Sequence, residues 1–547
     1  MSFHPVRTKY SRLFPPLLFL TLLLTILAAC GGGASSNSSN TSNTPASKQV
    51  LRMPNVGIST IAVLDPALGP DSNSNLAINM IFSGLVKLDK NLNVQPDQAT
   101  WDISNHNTVY TFHLKQGITF SDGTPVTAQS YVYTWTRALL PNVKSPTAPV
   151  LMNHIVGAQD VTAGKTTTLS GVKAIDDHTL QVTLTQPTAY FLQVLAVNLF
   201  YPLNQKVIQQ YGQTTWTQHA PGTGIGTGPF MIKSSQPGIQ MTLVPNPHYY
   251  GNKTKLTEVD MTFVKNPSTA FKAYRAGQYD FMWNITPQDQ QTASTLPGFV
   301  QQPIIESDLL FFDNRTAPFN KTAVRQAFAA AIDKQTLAKA IFKGTVTPAS
   351  TIIPPGEVGA QPNYPGIPYN RAKAKQLLQS VYPDASKIPP ITFTFPNSQM
   401  TPDEAAALQQ MWQEALGIQV KVEGVDLATY NNLTDKHSVQ FGFTQWSVYF
   451  PDPYEWLDLS LLSTSANNNG YWNNPTFDKT VAQAEATSGQ ARIDLYKKAE
   501  QIAVDNVGWL PIDHESQAAI IPAKVHGLTL NSEGLYFGDW SNIYLTQ

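Results

Sequence analysis

The sequence predicts an α/β protein of two or three lobes, and three observations carry that prediction. At 547 residues the chain is longer than one ordinary hydrophobic core can organise. Helical stretches closed by glycine and followed by alternating strands recur through its second half, the pattern of an α/β lobe. Hydrophobic residues make up 42% but charged residues only 13%, against roughly a quarter in an average soluble domain. Polarity therefore comes from Gln, Asn, Thr and Ser, and an excess of Pro (40) over Gly (33) points to many loops.

The elements follow in order. Arg7, Lys9 and Arg12 precede an apolar run from Leu13 to Ala29, interrupted by Pro15 and Pro16, that ends Leu27-Ala28-Ala29-Cys30. A basic segment, an apolar segment and small residues before a cleavage point read as a signal peptide over 1–29. Cys30, the only cysteine, stands where the bacterial lipobox, which this ending resembles, carries its acylated residue. The competing reading is an uncleaved membrane helix, for which the run is short. With no second cysteine, no internal disulfide forms. From Cys30 to Ser47 the chain is mostly Gly, Ser, Asn and Thr, a flexible tether that cannot bury a core.

Ordered structure is expected from about Val50. Apolar spacing predicts a helix from Asn75 that turns at Gly84 into a strand reaching Leu88. Val109–Leu114 and Thr179–Thr185 alternate as strands, and Thr127 caps a helix running to Leu140. The glycines Gly222, Gly224, Gly226 and Gly228 lead through Pro229 into a strand and lack the Lys-Ser/Thr of a phosphate cradle. Asn320 is placed to cap a helix over Thr322–Ile332, and Asp333 a second one stopping at Gly344. Thr401-Pro402-Asp403-Glu404 predicts a capping box opening a helix that ends at Gly417, followed by a strand from Ile418 to Val425.

Composition and motif exclude several classes. Removal of Arg7, Lys9 and Arg12 from the 36 basic residues leaves 33 against 37 acidic ones, so no basic surface for nucleic acid or anionic lipid is expected. Any membrane attachment must come from Cys30. The ten histidines form no metal-binding spacing, His106 and His113 being seven apart, and no GxSxG elbow surrounds a serine. No metal, no cofactor and no catalytic group is predicted. Asp452, Glu455 and Asp458 are the one local carboxylate cluster in the sequence. They read as the cap and face of a helix after Pro453 more readily than as a hydrolase pair.

Between Ile81 and Leu140 the strings IFSGLVKLDKNLNVQPDQATWDIS and VYTFHLKQGITFSDGTPVTAQS resemble the peptide/nickel solute-binding family, the oligopeptide- and dipeptide-binding proteins. Further blocks fall in family order: Gly226–Phe230, Asn246–Tyr250, Asn314 through Arg325 to Asp333, and Tyr369-Asn370 with the run ending at Leu378. The resemblance spans almost the whole chain after the tether. It implies a periplasmic-binding-protein-like bilobal fold (type II, cluster C-like) with an additional small lobe. Lobe I is expected over 48–90, 198–307 and 514–547, the additional lobe over 91–197 and lobe II over 308–513. The implied function is capture of oligopeptides between the lobes and delivery to an ABC-type permease, by a monomer lipid-anchored on the outer or periplasmic side of the cell membrane.

The resemblance also places the site. Trp446 and the backbone of Ser447 match the family segment that pairs with an extended peptide. Three residues after the tryptophan, relatives that grip a free α-ammonium carry Asp, and this chain carries Tyr449. A phenol hydrogen-bonds an ammonium but does not neutralise it at neutral pH. Asp452 substitutes if the loop is shifted; otherwise an uncharged or N-blocked solute, a peptide bound mid-chain or an oligosaccharide is implied. Trp283 and Asn284, with Ser72 and Asn73 in the early loop, complete the expected wall. A secreted hydrolase and a peptide sensor remain the readings from other classes.

Overall fold

The computed structural model describes residues 45–69, 71–536 and 539–547. Cys30, the segment 1–29 and most of the tether lie outside the described residues. Among the described residues no helix is long and apolar enough to cross a membrane.

Three sheets of four or more strands organise the described residues. In the first, Val50–Val56 runs parallel to Glu258–Val264 and the order continues through Gln240–Pro245 to Phe230–Gln236. Burial alternates along Glu258–Val264, with Val259, Met261 and Phe263 inward, as a strand covered on one face requires. The helix expected from Asn75 begins three residues earlier and spans Ser72–Ile81, because the Asp71 carboxylate accepts from the Ser74 N–H at 2.9 Å. The glycine stretch serves close approach to the end of that helix. The Gly228 N–H donates to the Ile81 carbonyl at 3.0 Å, and a Cβ on Gly226 would lie 1.8 Å from the same oxygen.

The second sheet is antiparallel, in the order Ala99–Ser104, Val109–Leu114, Thr179–Thr183, Val172–Asp176. Helix Ala128–Leu139 buries Tyr131 and Trp135 against this part of the chain, and each polar tip finds an acceptor. The Tyr131 hydroxyl donates to Gln98 Oε1 at 2.6 Å, and Trp135 Nε1 to the Phe200 carbonyl at 3.0 Å.

The third sheet has seven strands and is built around Phe299–Phe312, which pairs with Leu510–Ile520 on one side and Phe441–Ser447 on the other. At 14 residues this strand spans roughly 45 Å. Its start packs with Met282, Ala518 and Ile520, and its end lies in a separate core with Leu510 and Ile512. Register shifts between Pro303 and Ser307, and again between Asp308 and Leu309, bend the pair as it passes from one core to the other.

Two further helix starts differ from expectation. Helix Thr322–Ala330 is capped at Lys321 without a side-chain bond, not at Asn320, whose own N–H bonds the Thr316 carbonyl in the preceding turn. Helix Pro402–Leu416 is capped by Thr401, which accepts from the Glu404 N–H at 3.2 Å. The reciprocal half of the box is absent because the Glu404 side chain turns into the protein beside Asp308 and Asp513. At the other end Gly417 takes φ 70°, the left-handed conformation that glycine adopts without strain.

Candidate functional site

Strand Phe441–Ser447 ends with Ser447 directly opposite Glu306, and the chain leaves the sheet through Val448, Tyr449 and Phe450. These four residues line a cleft of about 500 Å³. The rest of its lining comes from distant parts of the chain. Ser72, Asn75 and Asn79 come from the first helix, Tyr249 from the segment after Gln240–Pro245, Trp283 from the edge strand Met282–Trp283 of the third sheet, and Asn531 to Glu533 from a late turn. The mixture of aromatic faces, amides and hydroxyls suits a solute that is part apolar and part hydrogen-bonding.

Four of the sequence-predicted residues meet in this cleft: Ser447, Tyr449, Trp283 and Ser72. Tyr449 is 50% exposed, so its ring is offered to the cleft and is not packed inside. Trp283 is nearly buried and fixed by donation from Nε1 to the Pro54 carbonyl at 2.8 Å. Trp446 is not in the lining. It sits half-buried against Trp509, ring centroids 5.6 Å apart, with its indole nitrogen buried and unbonded. Asn73 gives its carbonyl to Asn55 Nδ2 at 3.2 Å, and Asn284 is an exposed residue at φ 54° outside the cleft.

Asp452 has a different employment. It caps helix Pro453–Leu461 by accepting from the Tyr454 N–H at 3.0 Å, and Arg492 grips both its oxygens at 2.7 and 2.8 Å. With both side chains buried, no free carboxylate remains to move into the cleft. Phe450 stacks on Tyr190 at 5.3 Å, which adds a second anchor to the segment after Ser447.

The site's charge was not legible from local motifs. Asp97, Glu306, Glu533 and Asp539 reach the cleft, with Lys87 as the one cation in its described lining. Asp97 accepts from the Tyr250 hydroxyl at 2.7 Å and interacts with Lys87 and Lys115; burial still raises its carboxyl. Asp539 accepts from the Ser541 N–H at 3.0 Å. Glu306 and Glu533 make no ion pair among the described residues; partial desolvation pushes the half-buried Glu306 up to about 7, with Glu515 adding repulsion, and Glu533, although exposed, is likewise pushed up to about 7 by the protein around it. The polar triplet Glu306-Ser307-Asp308 between Ile304-Ile305 and Leu309–Phe312 was the available signal for Glu306.

Behind the cleft, carboxylates from three segments converge. Asp308 and Asp513 are cross-strand partners, and Glu404 joins them, with one oxygen of each within 4.8 Å of the others. This is the one group among the described residues able to surround a metal ion. Desolvation raises all three carboxyls, Glu404 to about 8, and repulsion adds to it, from Glu515 on Glu404, from Glu515 and Glu404 on Asp513, and from Asp513 and Glu515 on Asp308. Gln445 Nε2 donates to Asp308 at 3.1 Å, while both Asp513 oxygens lack a hydrogen bond. The sequence-based view that carboxylates cluster only at Asp452–Asp458 is corrected by this grouping.

The model of the bacterial extracellular solute-binding proteins, family 5 Middle, matches residues 93–503. The chain is 29% identical over 504 residues to the oligopeptide-binding protein OppA of Bacillus subtilis (strain 168), covering 88% of this chain and 91% of that protein. It is 31% identical over 503 residues to YgiS of Escherichia coli (strain K12), named as a probable deoxycholate-binding periplasmic protein, covering 90% and 93%. The solved structure of the Escherichia coli murein tripeptide binding protein MppA superposes with a TM-score of 0.76 at 27% identity, over 92% of this chain and 100% of that one.

Proposed function

The chain belongs to the bacterial extracellular solute-binding proteins of family 5, and on that premise we propose that it captures oligopeptides in the cleft beside Ser447 and delivers them to an ABC-type import permease. Its fold is the bilobal α/β fold of the periplasmic peptide-binding proteins. The observation that carries the peptide reading is the placement of Ser447 to Phe450, where a strand ends at the cleft wall. An extended peptide can pair with backbone there while its side chains occupy a polar, roomy space. The chain performs binding and no bond-breaking, and the ATPase belongs to other subunits.

The remaining parts of the proposal follow from the sequence. Lobe I comprises 48–90, 198–307 and 514–547, the additional lobe 91–197 and lobe II 308–513. The strands Phe299–Phe312 and Leu510–Ile520 cross between lobes I and II and act as the hinge, and a bound solute favours the closed arrangement. Cys30 carries the lipid that holds a monomer to the outer face of the cell membrane, and the tether lets it reach the permease.

Titration calorimetry with tripeptides and with maltotriose tests the substrate class. Saturable binding of tripeptides and none of the sugar is expected, and sugar binding without peptide binding would overturn the reading. Mass spectrometry of solutes that co-purify with the protein provides an independent check.

A further inference from the structure

Resting on the peptide reading, we infer that the cleft selects cationic solutes, and that Glu306 and Glu533 are the pair that receives the positive charge. The sequence alone suggests a site that does not depend on a free N-terminal ammonium, because Tyr449 stands where relatives that grip one carry aspartate. Tyr449, however, is one wall of a cleft whose other walls bring carboxylates from far along the chain.

The two glutamates are neighbours by backbone. The Ile305 N–H donates to the Ser532 carbonyl at 2.6 Å, so each glutamate is the next residue along its own chain from this bond. Glu306 also faces Ser447 across the strand pair, at the point where the chain turns into the cleft wall. Both carboxylates line the cavity, and neither makes an ion pair among the described residues.

The other charged groups there are already engaged or repulsive. Lys87 interacts with Asp97, Asp539 accepts from the Ser541 N–H, and Glu515 adds negative charge beside Glu306. Asp452 is held by Arg492. Glu306 is half-buried and Glu533 exposed at the cleft wall; a carboxylate there without a counter-charge is relieved by a proton or by a cation from the solute. Both carboxyls are pushed up to about 7, within reach of a proton near neutral pH. A ligand ammonium or guanidinium supplies the cation and forms charge-assisted hydrogen bonds. The same field disfavours an anion such as deoxycholate.

The test is titration calorimetry of the full chain in a non-ionic detergent, with trialanine, trilysine and deoxycholate as probes. Trilysine should bind about tenfold or more tightly than trialanine at low salt, and the advantage should shrink in concentrated salt. Deoxycholate should bind least. Glu306→Gln with Glu533→Gln should bring the trilysine-to-trialanine ratio toward one. Trialanine bound as tightly as trilysine would overturn the inference and leave the peptide reading standing. An unchanged ratio in the double variant would overturn the assignment to these two residues. Absence of binding by both peptides would defeat the peptide reading itself, and tight deoxycholate binding would contradict cation selection directly.

Discussion

Arg492 holds Asp452 by two hydrogen bonds of 2.7 and 2.8 Å, with both side chains almost wholly buried. The guanidinium also lies over the rings of Tyr190 and Tyr496, 5.3 and 4.7 Å from their centroids. This pair ties helix Gly489–Asp505 to the turn that follows the cleft wall, so the position of Val448 to Phe450 depends on it. Removing one partner leaves an uncompensated buried charge, which costs about 3–5 kcal/mol. Arg492→Ala should therefore lower stability by that amount in urea unfolding, and Asp452→Ala should do so comparably.

The buried carboxyls set a pH dependence with a definite sign. Asp308, Glu404 and Asp513 have folded-state pKa values above their unfolded values, Glu404 reaching about 8 and Glu455 the same. Above the unfolded pKa, near 4, the folded chain holds protons that the unfolded chain has released. Their contribution is thus full only below about pH 4 and is lost progressively as pH rises from there through about 8. His514, lowered to about 3 by burial and Lys334, acts oppositely below about pH 6.5. The interval from 6.5 to 8 is therefore the clean one. Melting temperature should fall across it, and Asp513→Asn should raise the melting temperature more at pH 8 than at pH 6.5.

Gly226→Ala should destabilise strongly. The added carbon would sit 1.8 Å from the Ile81 carbonyl oxygen, so the glycine turn or the helix end must move. A loss of more than about 3 kcal/mol, in the range of overpacked core positions, is the expected outcome of chemical denaturation. Gly222, four residues earlier, is the control. A Cβ there meets nothing within 4 Å, so Gly222→Ala at φ 76° should suffer only its backbone strain.

Tyr449 separates binding from stability. Its ring is half exposed in the cleft, so Tyr449→Ala should change unfolding free energy by no more than about 0.5 kcal/mol. Peptide affinity, measured by calorimetry on the same samples, should fall severalfold. An unchanged affinity would remove Tyr449 from the binding wall.

Cys30→Ser tests the anchor independently of the fold. The variant should lose incorporation of labelled palmitate and appear in the medium or periplasm in place of the membrane fraction. Retention in the membrane with equal labelling would contradict lipidation at this residue.

Much of the local structure was legible because it is governed by neighbours in sequence. The alternation of Val109–Leu114, the Thr127 and Asp333 helix starts and the Gly417 stop all appear where residue chemistry places them. The Thr401 box was half right: its first bond depends on residues three apart, but the Glu404 side chain answers to a buried space shared with Asp308 and Asp513. In the sequence Asp452 reads as an available ligand group, since nothing in its vicinity reveals Arg492, forty residues away.

By itself, the sequence determined the α/β character and strands such as Val109–Leu114 and Val420–Val425, encoded in short-range periodicity, while its ordered blocks carried the resemblance to the family. Tertiary structure alone decided the charge of the cleft, because Asp97, Glu306 and Glu533 lie hundreds of residues apart and meet only when the strands and turns pack. It also decided which carboxylates are free. Asp452 is neutralised by a partner on another helix, whereas Glu306 and Glu533 find none among the described residues. Electrostatic fields sum over space and not along the chain, so that part of the specificity is written in the fold.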